Sequence, residues 1–141
     1  MTVATRLSAG GLLGIAALHA VWATGSSWPM SDGAALSDGV AGRSDGVSHT
    51  AAECLAVAGA LTLAAAFVAG RPRRLPALQR AGAAGVISVL GTRAAFGLAG
   101  RTDVLSPGAT SERFRALDRR VYSPLCLALA LGALPAVRAR A

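Results

Sequence analysis

Six residues of this 141-residue chain carry side chains that could do chemistry: His19, Trp22, Glu53, Arg93, Asp118 and Tyr122. His19 could relay a proton. Three positions from Trp22 it shares a helix face with that ring, and packing is the plainer role. Arg93 interrupts an apolar run, where an arginine costs about 2.5–3.5 kcal/mol on insertion scales. It therefore needs a carboxylate or carbonyls, and Asp118 and Glu53 are its candidate partners. A structural ion pair pinning the third apolar segment to the fourth comes first, a functional pocket second, and snorkelling to a lipid phosphate third. Tyr122 either caps that network or joins an interfacial aromatic belt, the role expected of Trp28.

Other chemistries find no support in spacing. Cys54 and Cys126 are too few for a disulfide scaffold and form no CxxC. A bridge needs Cα atoms roughly 4.4–6.8 Å apart, and Cys126 should lie deeper than Cys54. No Cys/His pattern matches zinc. Ser-Asp-Gly recurs from Ser31, Ser37 and Ser44, but the interval is irregular and no EF-hand loop exists. Flexible turns are the expectation there. Neither a nucleophile elbow nor a phosphate loop is present. No cofactor and no metal is expected, and an enzyme ranks last among the functions considered.

The elements that position these residues follow from composition. The chain is 53% hydrophobic and 15% charged, against about 25% charged in ordinary soluble domains. That excludes disorder, which needs the opposite balance. All fourteen basic residues are arginine, seven acids oppose them, and the formal net charge is +7. The arginines border apolar runs instead of lining one polar face among aromatics, which argues against nucleic acid as a partner and for the lipid bilayer. Four apolar segments, at about residues 7–24, 54–70, 81–100 and 121–137, approach the roughly 20 residues of a spanning helix. Two are near the lower limit, where flanking arginines complete a span by snorkelling. The expected fold is an all-α integral membrane four-helix bundle forming one domain over residues 1–141. The first segment has some features of a signal peptide, but Trp22 beside the would-be cut favours a retained span.

Four spans alternate in direction, so His19, Trp22, Glu53, Arg93, Asp118 and Tyr122 all fall in one half of the bilayer. The other half should hold only small and aliphatic residues. Gly10 and Gly14, and Gly82, Gly85, Gly91 and Gly97, would let spans pack closely. The short loop of residues 71–80 carries four arginines and no acid. With Arg6, Arg138 and Arg140 it marks the cytoplasmic side. That gives a multi-pass protein of the plasma membrane with both termini cytoplasmic.

Leu18-His19-Ala20-Val21-Trp22-Ala23-Thr24-Gly25, with Trp28 shortly after, resembles the opening of the DUF3995 family of small bacterial membrane proteins. Arg93 within Gly91-Thr92-Arg93-Ala94 resembles its third-span arginine. The stretch from Phe114 through Leu117-Asp118 to Tyr122-Ser123-Pro124-Leu125-Cys126 is similar to its most specific motif. The Ser-Asp-Gly repeats depart from the family pattern. The resemblance implies four spans and no particular activity. Part of the last motif reads as helix-start chemistry, with Pro124 in a first turn and Asp118 favoured just before it. A non-enzymatic membrane protein is the first functional reading, its polar cluster being structural or holding a small ligand or lipid headgroup. An oligomeric small-molecule or proton-coupled transporter is the second, since four short spans need assembly, as a homo-oligomer, to enclose a path.

Overall fold

Long uncharged runs of Ala, Leu and Val satisfy their backbone groups internally by becoming helices, and capping residues set where each begins. The computed structural model describes residues 1–43, 49–105, 107–108 and 111–138, and among these it is all-helical without a strand. The third Ser-Asp-Gly, at Ser44, and Arg140 lie outside the described residues.

Helix α1 (Val3–Ala23) starts at Thr2, whose hydroxyl accepts from the Thr5 amide at 3.2 Å. Helix α2 (Gly33–Ala41) starts at Asp32, which accepts from the Ala35 amide at 2.8 Å. That amide, with the Ser31 hydroxyl, holds the Asp32 carboxyl below its usual range. Helix α3 (Ala51–Val68) opens on a reciprocal capping box between Thr50 and Glu53. Helix α4 (Pro76–Leu98) begins with a proline, whose missing N–H costs nothing in a first turn. Both α3 and α4 end on a left-handed glycine, Gly70 at φ +83° and Gly100 at φ +71°. The next amide closes back, Arg71 to the Ala66 carbonyl at 2.9 Å and Arg101 to Phe96 at 2.8 Å.

The last part of the chain departs from expectation. After the short α5 (Thr102–Leu105), a helix begins at α6 (Glu112–Leu117), capped by Ser111. It passes through a π-helical turn (Asp118–Tyr122) into α7 (Ser123–Ala133) and ends in a 3-10 turn (Leu134–Ala136). These pieces form one rod. Pro124 supplies a cause for the wide turn. Its ring has no N–H for the Arg120 carbonyl and clashes with it, so the chain widens instead of starting afresh. Pro124 stands in the first turn of α7 as expected, but the helical rod begins earlier, at Glu112, and Asp118 stands within it instead of ahead of it.

Three helices, α1, α3 and α4, are long and apolar enough to cross a membrane. The fourth rod interrupts its α-helix, and its α7 segment is 11 residues. The rods pack as a ring, α1 against α3, α3 against α4, α4 against α7 and α7 against α1. The core is made of small and medium residues: Ala9, Leu12, Ala65, Val68, Leu129 and Ala133. Of the glycines expected to let helices pack closely, Gly82 and Gly97 do so, a Cβ on Gly82 lying 2.5 Å from the Phe67 ring and one on Gly97 overlapping Ser123 Oγ, and Gly11 and Gly132 join them. A Cβ on Gly11 would lie 2.7 Å from Leu129 Cδ2, and one on Gly132 would lie 3.1 Å from the Ala4 carbonyl oxygen. Gly10, Gly14, Gly85 and Gly91 face nothing within 4 Å.

The outward faces are strongly apolar. Val3, Leu7 and Val89 are exposed by 72%, 70% and 69%. The second Ser-Asp-Gly, Ser37-Asp38-Gly39, is not a flexible turn, because it lies within α2, which packs on α6. The opposite end is not purely aliphatic either. Ser8 is buried and donates to the Leu129 carbonyl at 2.8 Å. Gln79, which sequence reading leaves in a loop, is 9% exposed.

Candidate functional site

The costliest side chain in the protein is Asp118, fully buried in the π-helical turn. Its Oδ1 receives Arg93 Nη2 from α4 in a short charged hydrogen bond, and Ser123 Oγ donates to the same oxygen at 3.3 Å. Its Oδ2 accepts from Thr102 Oγ1 of α5 at 2.9 Å. Three donors on three elements thus neutralise and solvate one carboxylate. The π-helical turn aims Asp118 and Ser123, five residues apart, at the same place. A buried carboxylate without such partners would have to protonate or leave.

Gly97, one turn after Arg93, makes the room. A Cβ there would overlap Ser123 Oγ, lie 2.7 Å from Asp118 Oδ2 and lie 2.9 Å from Arg93 Nη1. Arg93 has a side chain 26% exposed, and its Nη1 is buried without a hydrogen-bond partner among the described residues.

The remaining candidates stand apart from this pair. Glu53, the alternative partner for Arg93, is engaged with Thr50, taking its amide at 2.8 Å and its hydroxyl at 3.0 Å. It serves as a helix cap and does not join the Arg93 cluster. His19 uses Nδ1–H to donate to the Ile15 carbonyl at 2.9 Å, within its own helix, and meets Trp22 edge-on with centroids 4.7 Å apart. Trp22 donates from Nε1 to the Trp28 carbonyl at 2.7 Å and packs with Leu36 and Cys54. Tyr122 donates to the Gly39 carbonyl at 2.8 Å and stacks obliquely near Phe114. Cys54 and Cys126 are both free thiols. One rim therefore carries two assemblies: an ion-pair site between α4 and the fourth rod, and an aromatic cluster between α1, α2 and α3. Tyr122 bridges α2 to the rod that holds Asp118.

Removing that bridge has a defined consequence. Tyr122→Phe keeps the ring and deletes one hydrogen bond to a backbone carbonyl. The expected loss is about 1 kcal/mol, with faster amide exchange confined to α2. Exchange that rises equally in α4 would mean that Tyr122 supports the ion pair directly.

Sequence reasoning missed Thr102 and Ser123, and gave Gly97 only as a glycine that lets helices pack closely. Hydroxyls are common in loops, and nothing in their spacing to Asp118 signals convergence. Ser123 alone had a cue, its place inside the Asp118-to-Cys126 motif. The model of the family described as "protein of unknown function (DUF3995)" matches residues 12–133, from near the middle of α1 through the end of α7. This chain belongs to the DUF3995 family. The match takes in His19, Trp22, Arg93, Asp118 and Tyr122 together with the two hydroxyls and the glycine that complete the ion-pair site. No curated protein and no solved structure gives a match.

Proposed function

We propose that this DUF3995 protein is a four-span protein of the plasma membrane, with both termini in the cytoplasm, and that it is not an enzyme. The Arg93–Asp118 assembly is its structural lock, holding the third span to the fourth. One observation carries the reading of the site: the carboxylate is fully buried and engaged on both oxygens, and Gly97 closes the remaining space. A substrate pocket would leave such a group approachable.

The membrane reading draws on the outer faces. Helices that present Leu and Val on nearly every side would leave a large apolar surface in water, which soluble proteins avoid. The orientation draws on charge. The short connection of residues 71–80 holds four arginines, the concentration of basic residues expected of a short cytoplasmic loop. A second reading rests on Arg93 Nη1, a buried donor lacking an acceptor. A small acceptor group, such as a lipid-headgroup oxygen, would satisfy it, and the cluster would then bind as well as lock.

Accessibility of single cysteines tests the topology. In a variant lacking Cys54 and Cys126, cysteines replace Ser26, Arg74 and Glu112 one at a time. An impermeant maleimide on intact cells should label positions 26 and 112 and spare position 74 until the membrane is opened. Labels at 26 and 112 on opposite sides would overturn the four-span arrangement. A stable oligomer in mild detergent would move the balance to the transporter reading.

A further inference from the structure

The rim opposite Asp118 holds a feature that the ion-pair lock does not use. A cleft of about 820 Å³ opens there between the start of α1, the end of α3, the start of α4 and the end of the fourth rod. Arg73, Arg80 and Arg138 line it on one side of its chemistry, and Val68, Pro76 and Pro135 on the other. Among the described residues no Asp or Glu lines it. The three arginines form no ion pair among the described residues. The neighbouring Gln79 donates to the Phe67 carbonyl at 2.8 Å and to the Ala136 carbonyl at 3.3 Å. One buried amide thus ties together three of the four chain ends that wall the cleft.

Charge is segregated along the bundle in a way that bears on its occupant. Among the described residues every Asp and Glu, namely Asp32, Asp38, Glu53, Asp103, Glu112 and Asp118, belongs to the other rim. Among the described residues, Arg6, the four arginines of 71–80 and Arg138 belong to this one. On the far rim the described acids and arginines nearly cancel, so most of the net positive charge of the described residues lies at the cleft's end of the molecule. Ordinary solvated arginines explain a basic rim. They do not explain why three of them border a half-apolar cleft with no acid to answer them.

We propose that this cleft binds a phosphate group, carried by an anionic phospholipid headgroup or free in solution, with Arg73, Arg80 and Arg138 taking its oxygens. Guanidinium forks match phosphate oxygens in pairs. The volume exceeds what a phosphate alone would fill, and the Val68, Pro76 and Pro135 side suits the glycerol and first methylenes of a lipid. Basic pockets between spans at the cytoplasmic face suit such headgroups. The lipid source rests on the membrane reading above, which carbonate extraction of native membranes tests separately.

The test is thermal unfolding of the full chain in neutral detergent, titrated with short-chain phosphatidylglycerol, short-chain phosphatidylcholine or inorganic phosphate. Phosphatidylglycerol should raise the midpoint. In Arg73→Gln/Arg80→Gln/Arg138→Gln its apparent affinity should fall on the order of 100-fold. In the unaltered chain, raising salt from low to molar concentration should weaken the effect in parallel, which keeps the test valid if the triple variant unfolds. An arginine-dependent shift with inorganic phosphate alone assigns the site to a free phosphate. A shift equal in phosphatidylcholine, one that survives both the triple variant and high salt, or none with any probe overturns the proposal. A negative result in a chain that resists carbonate extraction leaves the membrane reading standing and removes the cleft alone.

Discussion

Arg93→Ala and Asp118→Ala are each expected to lower the yield of folded protein sharply, while the double variant does no worse than the worse of the two. Two magnitudes compete. A hydrogen bond between spans averages only about 0.6 kcal/mol in membrane proteins, and on that figure both changes would be mild. Stranding one member of a buried ion pair costs about 3–5 kcal/mol, because the survivor keeps its charge and loses its partner. Asp118 is fully buried and its three donors come from three elements, so the larger figure governs. Arg93→Ala leaves that carboxylate to the Thr102 and Ser123 hydroxyls. Asp118→Ala leaves an arginine that cannot lose its proton. A loss of that size lowers a thermal midpoint by on the order of 10 °C. Removing both charges removes the reason for the penalty, and coupling between contacting groups makes the losses non-additive. Folded yield by fluorescence-detected chromatography, with midpoints in one detergent, checks this. Losses that add in full would show that the two side chains act independently and would end the case for a lock.

Gly97→Ala should be the most damaging single-methyl addition in α4. The new Cβ would overlap Ser123 Oγ and press on the Asp118 carboxylate and the Arg93 guanidinium together. Overpacking in a filled interior costs about 1–3 kcal/mol, and here the displaced groups are the donors that make the carboxylate tolerable. Gly85→Ala and Gly91→Ala on the same helix meet nothing within 4 Å. They should be neutral or slightly stabilising, since alanine forms helix better than glycine by up to about 1 kcal/mol. Ser123→Ala in the Gly97→Ala background should recover part of the loss by removing the nearest obstacle. The ordering of four midpoints tests this, and a Gly97→Ala protein as stable as Gly91→Ala would contradict the packing described.

The cleft at the opposite rim and the lock at this one share a physical logic. Both lie towards the ends of the bundle, the lock satisfied by its own buried donors and the cleft open, while the middle of the bundle remains apolar. The core of Ala9, Leu12, Ala65, Val68, Leu129 and Ala133 offers no group that could recognise anything. Function in such a molecule belongs to its ends.

Composition and spacing were enough to read an all-helical chain with long apolar segments, the need of Arg93 for a partner, and Asp118 as one of two carboxylates near enough to serve. Those features are local or cumulative: hydropathy sums along a segment, and alternation of direction fixes which ends are neighbours. Tertiary structure alone chose Asp118 over Glu53, because Glu53 is taken by a capping box in its own first turn. It also put Asp118 inside a continuous rod, since Pro124 widened the helix where a helix start was expected. Thr102, Ser123 and Gly97 became parts of the site, and Gly11 and Gly132 became contact points, only once the rods were packed. Which face of a glycine-rich helix meets a neighbour depends on rotation about its axis. In a helix apolar on every side, no sequence period records that angle.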